Sequence, residues 1–263
     1  MERLSVTLAT AAAIGYGIAF CAAVASLLLR PRGGLAYGPA AIGAVALVIQ
    51  MTAFGVRWVA AGYAPVLGLH ETLLVFSIAT ALAFLFVGLR HRFLHRPHFP
   101  LLFCGAIAGA SLLPKKTLAP LIPILDTPLF SWHVIVSFCA YGCAAFGAAV
   151  VLDRLIGPGK ERRSFPYDRL LREINFLFFV FFSLCMIIGG IWAFLAWGSY
   201  WSWNSKGIWS GALWLYYAAI VHLPYQGKWR GGRITAVSAI GFLLVMMTFL
   251  GVGLLMRSNH PLE

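Results

Sequence analysis

Charge is scarce in this chain, and acid is scarcer than base. Charged residues make up 11% of 263, with 8 Asp and Glu against 20 Lys and Arg. Soluble domains carry about 25%. Four stretches, 6–29, 33–56, 72–89 and 174–200, hold no Asp, Glu, Lys or Arg at all. That excludes a soluble core. The five cysteines, Cys21, Cys104, Cys139, Cys143 and Cys185, form no CxxC and no CxxCH, which excludes a thioredoxin-like redox pair and a covalent haem-attachment motif. Cys139 and Cys143 share a helix face and read as buried apolar thiols. There is no Ser-His-Asp set, no carboxylate pair and no phosphate loop, so hydrolytic and phosphoryl-transfer chemistry have no sequence support. No internal repeat and no charge deep in a span suggest a transporter built from inverted halves.

Long apolar runs fill the space that charge leaves, and the mean hydropathy is +0.86. A helix crosses a hydrocarbon core ~30 Å thick with about 20 residues. In lipid the backbone must satisfy its own hydrogen bonds, so these runs are helices. The chain is expected to be all-α: a polytopic membrane bundle of about eight spans, near 4–29, 36–60, 71–90, 99–113, 132–153, 174–197, 208–226 and 234–256. The fourth is short and bounded by Pro100 and Pro114. The whole of 1–263 reads as one membrane domain in the lipid bilayer. The first span is too long for a signal peptide, and its basic residues follow the apolar run instead of preceding it.

Fourteen of the 20 Lys and Arg fall in alternate loops, at Arg30 and Arg32, then Arg90 to Arg96, Arg154 to Arg172, and Lys228 to Arg233. The positive-inside rule places these loops in the cytoplasm. Both termini then lie on the outer, periplasmic side of a bacterial cytoplasmic membrane. The net charge of +12 is thus a topology signal, and nothing in it points to nucleic acid. The segment 90–98, RHRFLHRPH, reads as a solvated cluster facing lipid headgroups.

Aromatic residues gather on the outer side. Trp197, Tyr200, Trp201, Trp203, Trp209 and Trp214 crowd the join between the sixth and seventh spans, and five of the nine Trp fall there. An ordinary interfacial belt places one or two aromatics at a helix end. The loop at about 197–209 therefore suits a large flat ligand. Among the His, His133 opens the fifth span, His70 opens the third and His260 follows the last, all on the outer side. His222 lies about 21 Å into the seventh span at 1.5 Å per residue, where a polar side chain is expensive and marks a functional site by default. Imidazole is a good ligand for iron. Arg57 can pair with a carboxylate, and Glu71 can orient it or a neighbouring His.

The segment WGSYWSWNSKGIWSGALWLYYAAIVH, from Trp197 to His222, resembles the tryptophan-rich "WWD" signature of the CcsA/ResC family of system II cytochrome c biogenesis. The family pattern reads WGxYWxWDPKExW, followed by a helix ending in His. Trp197, Gly198, Tyr200, Trp201, Trp203, Lys206, Trp209 and His222 match it. The segments from Gly62 to Leu73, at Trp132-His133-Val134, and from Leu250 to His260 are similar to other family segments. The resemblance covers most of the chain from about residue 50. It departs at Asn204, Ser205 and Gly207, where the family has Asp, Pro and an acid, and at His70, where it has Tyr.

This resemblance implies a haem-handling subunit that presents haem b, bound as substrate or cargo, on the outer face for attachment to apocytochrome c. His133 and His260 would be the outer axial ligands. Trp197, Tyr200, Trp201, Trp203 and Trp209 would cradle the porphyrin. His222 would be the intramembrane ligand, completed by a His from a ResB/CcsB-like membrane protein. The altered centre of the signature leaves a second reading open: a HemX-like membrane regulator, or a haem-binding subunit without synthase activity.

Overall fold

A computed structural model describes residues 1–29, 33–118, 120–157, 164–223 and 229–251. The described residues form eight α-helices and no strand. They are α1 (Glu2–Leu29), α2 (Gly38–Ala61), α3 (Leu69–Arg90), α4 (His98–Ala110), α5 (Pro128–Ile156), α6 (Tyr167–Trp197), α7 (Ser205–His222) and α8 (Gly232–Met246). One wide π-type turn, Met247–Gly251, extends α8. Its Phe249 packs edge-on against Phe76 and Phe138 at 5.8 and 5.3 Å, between α3 and α5.

Among the described residues six helices are long and apolar enough to cross a membrane: α1, α2, α3, α5, α6, and α8 with its wide turn. The protein is therefore a multi-pass helical membrane protein. The fourth expected span is α4, whose 13 residues reach only about 20 Å. It is packed between α1, α3 and α5. Helix α7 has 18 residues, about 27 Å, and its polar first turn and tyrosines lower its hydropathy.

The bundle is layered around α3 and α5, which bury 67% and 72% of their apolar stretches against 22% for α1. The sequence explains the close approach. From Ala140 to Ala149, α5 is mostly Ala and Gly, and at Gly142 a Cβ would lie 2.5 Å from the Ala79 backbone. Small residues at a helix contact let backbones meet, which is how membrane helices gain packing without a hydrophobic driving force. The same device joins α1 to its neighbours through Ala9, Ala12, Ala19 and Ala23, all fully buried.

Polar ties gather the loops into two ends. At one end Arg96 pairs with buried Asp153 at 2.6 Å, and Tyr167 donates to the same carboxylate. His91 meets Glu173 at 2.7 Å, and Arg154 meets Asp168 at 2.6 Å. The expectation of a solvated 90–98 cluster holds for Arg90 and Arg92, which are exposed, and fails for His91, Arg96 and His98. Arg96 and His98 are buried and the His91 side chain is 5% exposed, because acids distant in sequence on α5 and α6 neutralise the segment. At the other end Arg57, fully buried, donates through Nε to Glu71 at 2.7 Å and through Nη2 to the Lys116 carbonyl at 2.6 Å. His70, also fully buried, bonds through Nδ1 to the Ser111 carbonyl at 2.6 Å. Buried charge thus does occur in this bundle, but as pairs near helix ends.

Removing one partner of a buried pair leaves an uncompensated charge, which typically costs about 3–5 kcal/mol. Glu71→Leu should lower the unfolding free energy in detergent by that order, and the double variant Arg57→Met/Glu71→Leu should recover much of the loss. Equal stability of Glu71→Leu and native protein would show the pair to be dispensable.

Candidate functional site

Helix α6 ends at Gly198, whose φ of +73° is the left-handed conformation that glycine adopts without strain. Its N–H closes on the Phe194 carbonyl at 2.8 Å. The chain then folds back along α6. Tyr200 stacks on Phe194 at 4.4 Å with planes 9° apart, and Trp197 packs edge-on against Trp192 at 4.8 Å. Trp201 lies over Gly211 of α7, where a Cβ would be 3.3 Å from its ring, and meets Trp203 at 6.2 Å. The indole N–H of Trp201 is buried with no partner among the described residues. The shelf is open: Trp197, Tyr200 and Trp203 are 52%, 62% and 82% exposed. Trp209 is half-buried early in α7.

Asn204 begins α7. Its side-chain oxygen accepts from the Gly207 N–H at 2.8 Å, an ordinary N-cap that Asp and Asn perform alike. A Cβ on Gly207 would collide with the Ser202 carbonyl. Two of the three departures within the signature, Asn204 and Gly207, thus have a local physical account: one keeps the cap, and the other makes room for the returning loop.

His133 sits one turn into α5, which Thr127 caps through a bond from the Phe130 N–H at 3.3 Å. Its ring lies against α6. Nδ1 is 3.0 Å from the Cys185 carbonyl and 3.5 Å from the Cys185 sulfur. Trp192 stacks beside it at 6.5 Å and 17°. Trp192 in turn donates to the Ile124 carbonyl at 3.3 Å and packs on Phe130 at 5.1 Å. Lys206, at the start of α7, lies close enough to act electrostatically on both His133 and Cys185. It keeps solvent access and pairs with no carboxylate among the described residues.

His70, His133 and His222 share one habit and differ in one consequence. Each bonds through Nδ1 to a backbone carbonyl: His70 to Ser111, His133 to Cys185, and His222 to Ala218 at 2.6 Å. The Nε2 of His70 is sealed in the protein without a partner, whereas those of His133 and His222 are not enclosed. His70 is therefore structural, and His133 and His222 keep a free ligand atom. His222 closes α7 and is exposed. His260 lies outside the described residues. Among the described residues no group of three or more His, Cys, Asp or Glu is placed to hold a metal ion, so a bare-ion site has no support.

The structure thus brings His133 and Trp197 together around Trp192, with Lys206 in electrostatic reach of His133 and Tyr200 stacked nearby on α6. Sequence reasoning missed Trp192, Cys185 and Gly189. Trp192 lies inside an apolar run, five residues before the cluster, and only its position about a turn and a half before Trp197 could have flagged it. Beside the site, across Phe130, an open pocket of about 310 Å³ is lined by Trp58, Tyr63, Asp126, Phe130 and Trp132, among others.

A family model described as Cytochrome C assembly protein matches residues 41–260. The chain belongs to this family. It is 29% identical over 221 residues to the cytochrome c biogenesis protein CcsA of Chlamydomonas reinhardtii, covering 78% of this chain and 62% of that protein. It is 25% identical to that of Chlorella vulgaris, over 78% of this chain and 79% of the relative, and 27% identical to that of Prochlorococcus marinus (strain MIT 9301), over 78% and 77%. Its fold is similar to a solved structure titled Cytochrome c Heme Lyase CcmF, with a TM-score of 0.62 at 17% identity, over 100% of this chain and 52% of that one. The chain thus spans about half of that protein and less than two thirds of the Chlamydomonas relative.

If Asn204 is only a cap, Asn204→Asp should leave stability unchanged and Asn204→Ala should cost about 1 kcal/mol. Hydrogen exchange of the amides at 205–208 reads this directly. Equal protection in Asn204→Ala and native protein would contradict the assignment.

Proposed function

We propose that this chain is the haem-presenting subunit of a cytochrome c assembly system in a bacterial cytoplasmic membrane. The observation that carries the reading is His133, whose open Nε2 lies beside an exposed Trp and Tyr shelf and an unpaired lysine. Each part suits one feature of haem b as cargo. Imidazole nitrogen ligates haem iron. Flat aromatic rings cover a porphyrin face. An ammonium complements a propionate carboxylate, and the described part of the shelf offers it no competing acid. The relatives are cytochrome c biogenesis proteins, and the fold is shared with a protein titled a haem lyase.

In this reading His133 and His260 bind the iron from its two faces. Trp197, Tyr200, Trp201, Trp203 and Trp209 hold the macrocycle with its edge toward water. Thioether formation joins haem vinyl carbons to substrate cysteines. The contribution of this chain is to fix the haem where an apocytochrome c can reach it, which is catalysis by proximity and orientation. No side chain in the described site acts as a nucleophile or a general acid. His222, exposed at the end of α7, supports a second haem contact completed by a ResB/CcsB-like partner. The end of the bundle carrying the aromatic shelf is the outer face.

The test is optical spectroscopy of the purified chain, with and without its partner. Native protein should show a low-spin bis-imidazole Soret band. His133→Ala and His260→Ala should each convert it toward high spin. His222→Ala should lower the haem content without changing the spectrum of the outer site. Protein without a Soret band even beside its partner would refute the reading. Haem binding without support of cytochrome c formation would select a HemX-like regulator instead.

A further inference from the structure

We propose that α6 is a template for His133. The Cys185 carbonyl, the missing side chain of Gly189 and the ring of Trp192 together hold the imidazole as its Nδ1–H tautomer, with Nε2 turned outward as the single ring atom available to a metal. The ligand in this inference rests on the haem reading above; the geometry does not.

A carbonyl oxygen only accepts. The 3.0 Å contact from His133 Nδ1 to the Cys185 oxygen therefore requires the proton on Nδ1, which leaves the lone pair on Nε2. Nε2 makes no hydrogen bond among the described residues and is not enclosed. The Cys185 carbonyl lies within α6 and faces the N–H of residue 189 in the helical ladder. Its second lone pair takes the imidazole proton.

Gly189 decides whether the ring can reach that lone pair. A Cβ there would fall 2.5 Å from His133 Cε1 and closer still to Nδ1. Gly189 is not among the glycines with positive φ, so its backbone needs no glycine. Space for the imidazole is the requirement. Ala is the better helix former, so the helix itself would prefer a side chain here. Trp192, one turn closer to the shelf, closes the remaining side of the ring at 6.5 Å and 17°. Its indole N–H is tied to Ile124, which stops it from rotating away. Cys185 itself contributes through its backbone. Its sulfur, 3.5 Å from Nδ1, is a weak acceptor beside the carbonyl. Metal-binding His generally donates its other N–H to such an outer partner, and disturbing that partner typically costs about 10- to 100-fold in affinity. Gly189 and Trp192 are thus positioning residues.

The test begins without haem. Nitrogen-15 solid-state NMR of histidine-labelled protein in lipid should show His133 protonated at Nδ1 and bare at Nε2. Cys185→Ala keeps the carbonyl and should keep this tautomer. Gly189→Ala should lose it while keeping the native helical content by circular dichroism. A native His133 protonated at Nε2 overturns the proposal without any variant, and so does an unchanged tautomer in Gly189→Ala. With haem added, Gly189→Ala should weaken binding by about 10- to 100-fold and shift the Soret band in the direction of His133→Ala. If His133→Ala leaves the spectrum unaltered while the NMR results hold, the ligand reading fails and the template stands. If His133→Ala alters the spectrum and Gly189→Ala does not, the template fails and the ligand reading stands.

Discussion

A buried backbone carbonyl on α6 meets the imidazole of His133 on α5, and the geometry of the aromatic end of the bundle follows from that contact. It requires two long helices to approach closely at Gly189. It requires α5 to start where it does, with Thr127 capping and Pro128 in the first turn. It also requires the connector before α5 to lie flat, and Trp192 sees to that by binding the Ile124 carbonyl on one side while stacking on the imidazole with its face. The shelf continues from Trp192 to Trp197 and turns back at Gly198. The candidate site is therefore a surface of α6 with α5 pressed against it, more than a loop with a histidine nearby.

The buried ion pairs serve the same end from further away. Arg57 and His70 both reach the α4–α5 connector, at Lys116 and Ser111. That connector leads directly to Thr127 and His133. Arg57 does pair with a carboxylate, but that carboxylate is Glu71 of its own bundle: its Nε and Nη2 are taken by Glu71 and a carbonyl. The cation that remains available beside His133 is Lys206. At the opposite end, Asp153, Asp168 and Glu173 hold Arg96, Arg154 and His91, so these basic segments are also the fasteners of α5 and α6.

Most of the helices were legible in the sequence because the bilayer sets both their length and their composition. The ends were less legible. Helix α6 begins at Tyr167 instead of near 174, because its polar first turns carry no hydropathy signal, and α5 begins at Pro128 instead of 132, where the Thr127 cap and Pro128 start the helix. Helix α4 reads as a span by its apolar content, yet its 13 residues serve as packing for α1, α3 and α5. Of the site, His133 and the Trp shelf were visible as a motif, and the departures at Asn204 and Gly207 became intelligible once the cap and the Ser202 carbonyl were in view. Trp192 was hidden within an apolar run, where one more aromatic is unremarked. Gly189 and the Cys185 carbonyl were invisible in principle, since a backbone acceptor and an empty volume have no residue signature. His70 looked like a peer of His133 and proved to be sealed, a difference of burial that spacing does not carry. His260 lies outside the described residues and keeps only its sequence-based assignment.

The central claim is that haem iron is bound at His133 Nε2, under the indole shelf and outside the hydrocarbon. The most direct measurement is an electron cryomicroscopy structure of the haem-loaded protein in a lipid nanodisc. The account predicts a porphyrin against Trp197, Trp201 and Trp203, iron on His133 Nε2, and a propionate beside Lys206. Haem density elsewhere in the bundle, with His133 Nε2 left facing water, would contradict it.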